Sequence, residues 1–71
     1  MRISEAARSA GVSPQTLEYY IMLGLVEPLR SPGRRGRLFN ADHVKRIRLI
    51  RQLNASGYTL RAIRETYLRR R

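Results

Sequence analysis

Between Ser13 and Gly24 the chain specifies a helix together with both of its ends, and no other stretch limits the fold as tightly. Ser13 stands where a side-chain oxygen can accept from the first free backbone N–H groups. Pro14 follows at the first helical position, where a missing N–H costs nothing. Gly24 supplies the stop after Met22 and Leu23. A shorter helix precedes it: Ser4 is placed to cap it, Glu5 sits in the first turn where the dipole favours an anion, and Gly11 offers a left-handed end. The spacing therefore predicts helices over about residues 5–10 and 14–22, joined by a tight Gly11-Val12 turn, which is a helix-turn-helix.

Downstream, Val26, Leu29, Leu38 and Phe39 flank the stretch from Arg30 to Arg37, which contains Pro32, Gly33 and Gly36. Two short strands joined by a loop suit that pattern, and such a hairpin is a wing. Asn40 can cap a third helix, about 41–55, in which Val44, Ile47, Ile50 and Leu53 recur at near-helical spacing until Gly57. Thr59 then caps a fourth, about 60–69, with Leu60, Ile63 and Tyr67 on one face. The expected fold is mainly α: a winged helix-turn-helix of four helices with a two-stranded wing between the second and third. The terminal Arg69, Arg70 and Arg71 are expected to fray.

Seventy-one residues form one domain at most, with a small core. The chain has no cysteine and one histidine, so neither a disulfide nor a zinc site is expected to stabilise it. No apolar run nears the roughly 18 residues of a membrane span, and the start Met1-Arg2-Ile3-Ser4-Glu5 lacks the apolar stretch of a signal peptide. A cytoplasmic, nucleoid-associated location is the default expectation.

Charge points to a partner. Fifteen Lys and Arg against five Asp and Glu give a net charge of +10, and a polyanion is the default inference. Residues 1–29 are net −1 and residues 30–71 net +11, so the electrostatic grip belongs to the wing and the two helices after it. Four arginines in the eight residues Arg30–Arg37, namely Arg30, Arg34, Arg35 and Arg37, would repel one another unless an anion binds. Each carries a guanidinium fork shaped for phosphate. The amino end of the second helix brings free N–H groups plus Ser13, Gln15 and Thr16. Gln15 can pair in two-point fashion with adenine, and Thr16 can reach a phosphate or a thymine methyl. Thr59, with Tyr58 and Arg61 beside it, can clamp the flanking backbone. Catalytic groups are not expected: there is no cysteine, no carboxylate pair at helical spacing, no phosphate-binding glycine loop, and His43 has no evident partner. No cofactor or metal is expected.

The run Ile3-Ser4-Glu5-Ala6-Ala7, Gly11-Val12-Ser13, Thr16-Leu17-Glu18-Tyr19-Tyr20, Leu23-Gly24-Leu25-Val26, Arg37-Leu38-Phe39 and Gly57-Tyr58-Thr59-Leu60 is similar to the amino-terminal domain of the MerR family of bacterial transcription regulators. The resemblance covers about Arg2 to Leu68. It implies a homodimer on an inverted-repeat operator in double-stranded DNA, with the second helix in the major groove and the wing on the backbone or in the minor groove. It also implies a bent and untwisted promoter that RNA polymerase can then engage, so the polymerase is an indirect partner. It favours Tyr19 or Tyr20 on phosphate.

Two stretches depart from the family pattern. Glu18 stands where an arginine usually precedes the tyrosine pair, with Ile21 in place of the acid after it, and Arg35-Gly36 replaces the usual Gly-Tyr before Arg37. Glu18 has three open readings: an acceptor for a cytosine amino group, an orienter of a neighbouring arginine, or a solvated side chain. The family also continues past the fourth helix into a long dimerisation helix and an effector domain. The chain 1–71 is therefore expected to be an excised DNA-binding domain, monomeric alone and dimeric on DNA or in a longer natural chain. The alternatives are a small recombination directionality factor, an architectural DNA-binding protein, or a basic module for an acidic protein.

Plainer readings stand beside these. Lys45, Arg46, Arg48 and Arg51 can form the wet face of an amphipathic helix, His43 can be a solvated or locally bonded surface residue, and Met22 can fill the core. The expected core is Ile3, Ala7, Val12, Leu17, Leu25, Val26, Phe39, Val44, Ile47, Ile50, Tyr58, Leu60 and Ile63.

Overall fold

The computed structural model describes residues 1–30 and 36–66. Its elements run α1 (Ile3–Ala10), α2 (Pro14–Met22), β1 (Leu29–Arg30), β2 (Arg37–Leu38), α3 (Ala41–Ala55) and α4 (Leu60–Thr66). Four helices and a two-stranded antiparallel wing are thus present, with Leu29 opposite Leu38 and Arg30 opposite Arg37. The expected continuation of α4 to residue 69, the contribution of Tyr67 to its inner face and the fraying of Arg69 to Arg71 lie outside the described residues.

Local chemistry fixes most boundaries. The Thr16 N–H donates to Ser13 Oγ at 3.0 Å with Pro14 in the first turn. Asn40 Oδ1 accepts from the His43 N–H at 3.0 Å, and Thr59 Oγ1 accepts from the Ala62 N–H at 3.0 Å, so three of the four expected caps form. At Gly24 the backbone turns left-handed (φ +81), and the Leu25 N–H reaches back to the Tyr20 carbonyl at 2.9 Å. That closure needs a residue free of a Cβ penalty. Gly11 (φ +79) ends α1 in the same way, with Val12 N–H on the Ala7 carbonyl at 3.0 Å.

The start of α1 corrects the sequence reading. The cap position is Arg2, with no side-chain bond, and the helix begins at Ile3, so Ser4 is an exposed first-turn residue and not the cap. The reason is tertiary. Met1 pairs with Phe39 in both directions: the Phe39 N–H donates to the Met1 carbonyl at 2.8 Å, and the Met1 amino group donates to the Phe39 carbonyl at 2.7 Å. This holds the chain extended only as far as Arg2, whose carbonyl accepts from Ala6.

The core is Ala6, Ala7, Ala10, Leu17, Tyr20, Leu25, Val26, Phe39, Val44, Ile47, Ile50 and Ile63, with Ile3, Val12, Ile21, Leu23, Leu53 and Leu60 packed half-buried against it. Most of the expected set is there. Tyr58 is not, at 44% exposed, because its backbone and not its ring closes the α3–α4 turn, through its N–H on the Leu53 carbonyl. Met22 is 72% exposed and fills nothing. It lies on the outer face of α2 with Gln15, Glu18 and Tyr19, three and four residues apart, while Leu17 and Tyr20 point inward. The sequence reading missed Ala6 and Ala10, whose small side chains let α1 lie close against α2 and α3.

Candidate nucleic-acid interface

The outer face of α2 is a continuous strip from Gln15 through Glu18 and Tyr19 to Met22, all exposed. At its head, Ser13 donates its hydroxyl to Thr16 Oγ1 at 2.9 Å while its oxygen caps the helix, so Ser13 is engaged within the protein. Thr16 is half-buried and keeps its own hydroxyl proton for another acceptor. The tyrosine pair divides. Tyr20 is 4% exposed and belongs to the core, where burial pushes its phenol above the ordinary value and Arg51 partly pulls it back. Of the two tyrosines expected at the interface, Tyr19 alone turns outward, at 48% exposed.

Glu18 resolves to one of its three readings in the free protein. Its two oxygens accept from Arg37 Nη1 and Nη2 at 3.0 and 2.8 Å, a two-point pair between α2 and β2. The Arg37 hydrogen bond holds the Glu18 carboxyl below its ordinary value, and the same bond raises Arg37. The pair also offsets a conflict in the wing, where Arg30 sits directly opposite Arg37 and like charges facing each other are unfavourable. Arg30 is exposed, and Arg34 and Arg35 lie outside the described residues. At the start of α4, Thr59 caps the helix, the exposed Tyr58 accepts a bond from Asn54 Nδ2 on its carbonyl at 2.7 Å, and the exposed Arg61 lies 3.6 Å from Glu65.

The basic residues of α3 and α4 divide in a way that no sequence pattern announced. Arg46 Nε donates to the Leu25 carbonyl at 2.8 Å, Arg48 donates from Nε and Nη2 to the Ser9 carbonyl at 3.2 and 2.7 Å, and Arg64 Nη1 donates to the Leu23 carbonyl at 3.2 Å. These carbonyls lie at or just beyond the carboxyl ends of α1 and α2, where the helix dipole favours a cation. So Arg46, half-buried, departs from the wet-face reading, while Arg48 is exposed as that reading expects and still reaches a carbonyl of α1; both tie the helix-turn-helix to α3. Lys45 and Arg51 are exposed. His43 is bonded on both ring nitrogens, with Nδ1 accepting from the Asn40 N–H at 2.9 Å and Nε2 lying 2.8 Å from the Glu27 carbonyl, and its ring edge packs on Phe39. It thereby ties the start of α3 to the entry of the wing. Apart from the local Asn40–His43 bond, these hydrogen bonds span 16 to 41 residues of sequence, so only a folded topology could reveal them.

Among the described residues no cluster of His, Cys, Asp or Glu could hold a metal, and no helix is long and apolar enough to cross a membrane.

The family profile described as "MerR HTH family regulatory protein" matches residues 1–69. Over 52 residues the chain is 46% identical to a protein named heat shock protein HspR of Streptomyces coelicolor, covering 73% of this chain and 34% of that one. It is 32% identical over 62 residues to the mercuric resistance operon regulatory protein of Bacillus cereus, covering 87% and 47% respectively. The crystal structure of the transcription regulator PbrR691 from Ralstonia metallidurans CH34 in complex with lead(II) superimposes with a TM-score of 0.80 at 38% identity, over 92% of this chain and 50% of that chain. This chain thus spans between about a third and a half of the length of these relatives. It belongs to the MerR family of helix-turn-helix regulatory proteins, a family of transcription regulators and not of enzymes.

Proposed function

We propose that the chain is the DNA-binding unit of a bacterial transcription regulator, working in the cytoplasm on the nucleoid. It places the amino end of α2 in the major groove and the arginine-rich wing on the adjacent backbone or minor groove. The observation that carries this is the strip Gln15–Glu18–Tyr19 on the outer face of a capped α2, with Thr59 and the exposed Tyr58 and Arg61 at the start of α4 and Arg30 on the wing. Gln15 is the base reader, through two bonds to adenine. Thr16 and Tyr19 take phosphates, Arg30, Arg34 and Arg35 set the register, and Tyr58, Thr59 and Arg61 take the flanking strand. Two copies bind an inverted repeat, and a promoter so deformed engages RNA polymerase.

Selection from a random duplex library, followed by binding of the winner and of a scrambled duplex across a salt series, tests this. The expected result is an inverted repeat preferred by at least about tenfold, the low end of the discrimination one or two base contacts give. Gln15→Ala should then lower that preference while leaving the scrambled duplex unaffected. An absence of any enriched motif, with binding that only collapses as salt rises, would replace specific recognition with architectural binding.

A further inference from the structure

A carboxylate on the outer face of α2 is out of keeping with a surface that approaches phosphates. Of Gln15, Glu18, Tyr19 and Met22, Glu18 alone is charged, and it is negative. Its oxygens hold both Nη groups of Arg37 at 3.0 and 2.8 Å. A guanidinium fork binds carboxylate and phosphate in the same two-point geometry, so the Arg37 fork is occupied by an internal rival of the DNA backbone. The two side chains, Arg37 and Glu18, are 30% and 51% exposed, which keeps the pair at the surface and open to exchange.

We propose that Glu18 is a specificity-determining residue that withholds Arg37 from phosphate and repels the backbone from the middle of α2. Sequence-independent binding is thereby held down, and the base contacts at the head of the helix decide where the chain settles. The proposal rests on the reading of α2 and the wing as the DNA face. It differs from a simple brace between helix and wing in its sign. Removing a brace weakens every complex, whereas removing a rival of phosphate strengthens the nonspecific ones.

The test uses five chains: the unaltered protein, Gln15→Ala, Glu18→Gln, Arg37→Gln and the double variant at Glu18 and Arg37. Each is titrated with a selected duplex and a scrambled one across a salt series, with thermal melts alongside. Glu18→Gln should bind the scrambled duplex more tightly, steepen its salt slope by about 0.9 for one added phosphate contact, and reduce the ratio between the two duplexes. Adding Arg37→Gln should remove the part of the gain, and the steepening of the slope, that come from the added phosphate contact. An unchanged slope in Glu18→Gln overturns the proposal, as does parallel weakening on both duplexes with a lowered Tm, which would make the pair a brace. If Gln15→Ala alters sequence preference while Glu18→Gln moves neither slope nor ratio, the DNA face stands and this proposal falls. If Gln15→Ala alters binding to no duplex and Glu18→Gln moves neither slope nor ratio, both fall.

Discussion

Glu18 and Arg37 show how little a residue's type says about its task. The sequence presents Glu18 as an acid in a basic protein and Arg37 as one of four wing arginines, and the structure joins them into one neutral unit. Because the bond from Arg37 depresses the Glu18 carboxyl, the pair contributes above the carboxyl's unfolded value and is lost as pH falls through the lower, folded one. Carboxyl-detected NMR titration should therefore give Glu18 a midpoint below that of an ordinary glutamate, and Arg37→Gln should raise it. A midpoint indifferent to Arg37→Gln would mean the pair does not persist in solution. The tyrosine pair teaches the same lesson. Tyr19 and Tyr20 are adjacent and chemically identical, and a rotation of one helical residue separates a solvent-facing ring from a core one.

At the scale of elements, three arginines of α3 and α4 serve the ends of α1 and α2. Arg48 binds the Ser9 carbonyl through two nitrogens, and Arg46 and Arg64 bind Leu25 and Leu23. Arg48→Ala should lower stability by roughly 1 kcal/mol, the scale of a cation at a helix carboxyl end, and leave the salt slope of DNA binding unchanged. A flattened slope would instead place Arg48 on phosphate. The start of α3 depends on His43, which closes a reciprocal cap with Asn40 and reaches the Glu27 carbonyl. Since Nδ1 accepts the Asn40 N–H, Nε2 carries the ring proton in this arrangement. His43→Ala should cost about 0.5–2 kcal/mol, the range for loss of a cap, measured by urea unfolding. An unchanged midpoint would show that Asn40 alone suffices.

The whole molecule is a small core with helices aimed by packing. Leu17 is fully buried on the inner face of α2, directly beneath the strip that faces outward. Leu17→Ala should cost about 2–5 kcal/mol, comparable with the roughly 3–5 kcal/mol a core this size supplies, so loss of binding should accompany loss of helical circular dichroism. Met22→Ala, at a 72% exposed site, should change stability by no more than about 0.5 kcal/mol. If Leu17→Ala stayed folded and bound as tightly as before, packing at Leu17 would not be what positions α2. The order of elements, the bounds of α2 and α3, the wing and the caps at Ser13, Asn40 and Thr59 were legible in the sequence, because each is settled by hydrogen bonds and backbone preferences of short reach along the chain. Ser4 failed as a cap because its helix start is set by Met1 against Phe39, across 38 residues. Tyr58 and Met22 failed as core residues because apolar character does not say which way a side chain points. Which tyrosine faces out, which arginines grip a carbonyl, and that Glu18 holds Arg37, were decided by the way the helices cross, since those contacts join residues that only the packed core brings within reach.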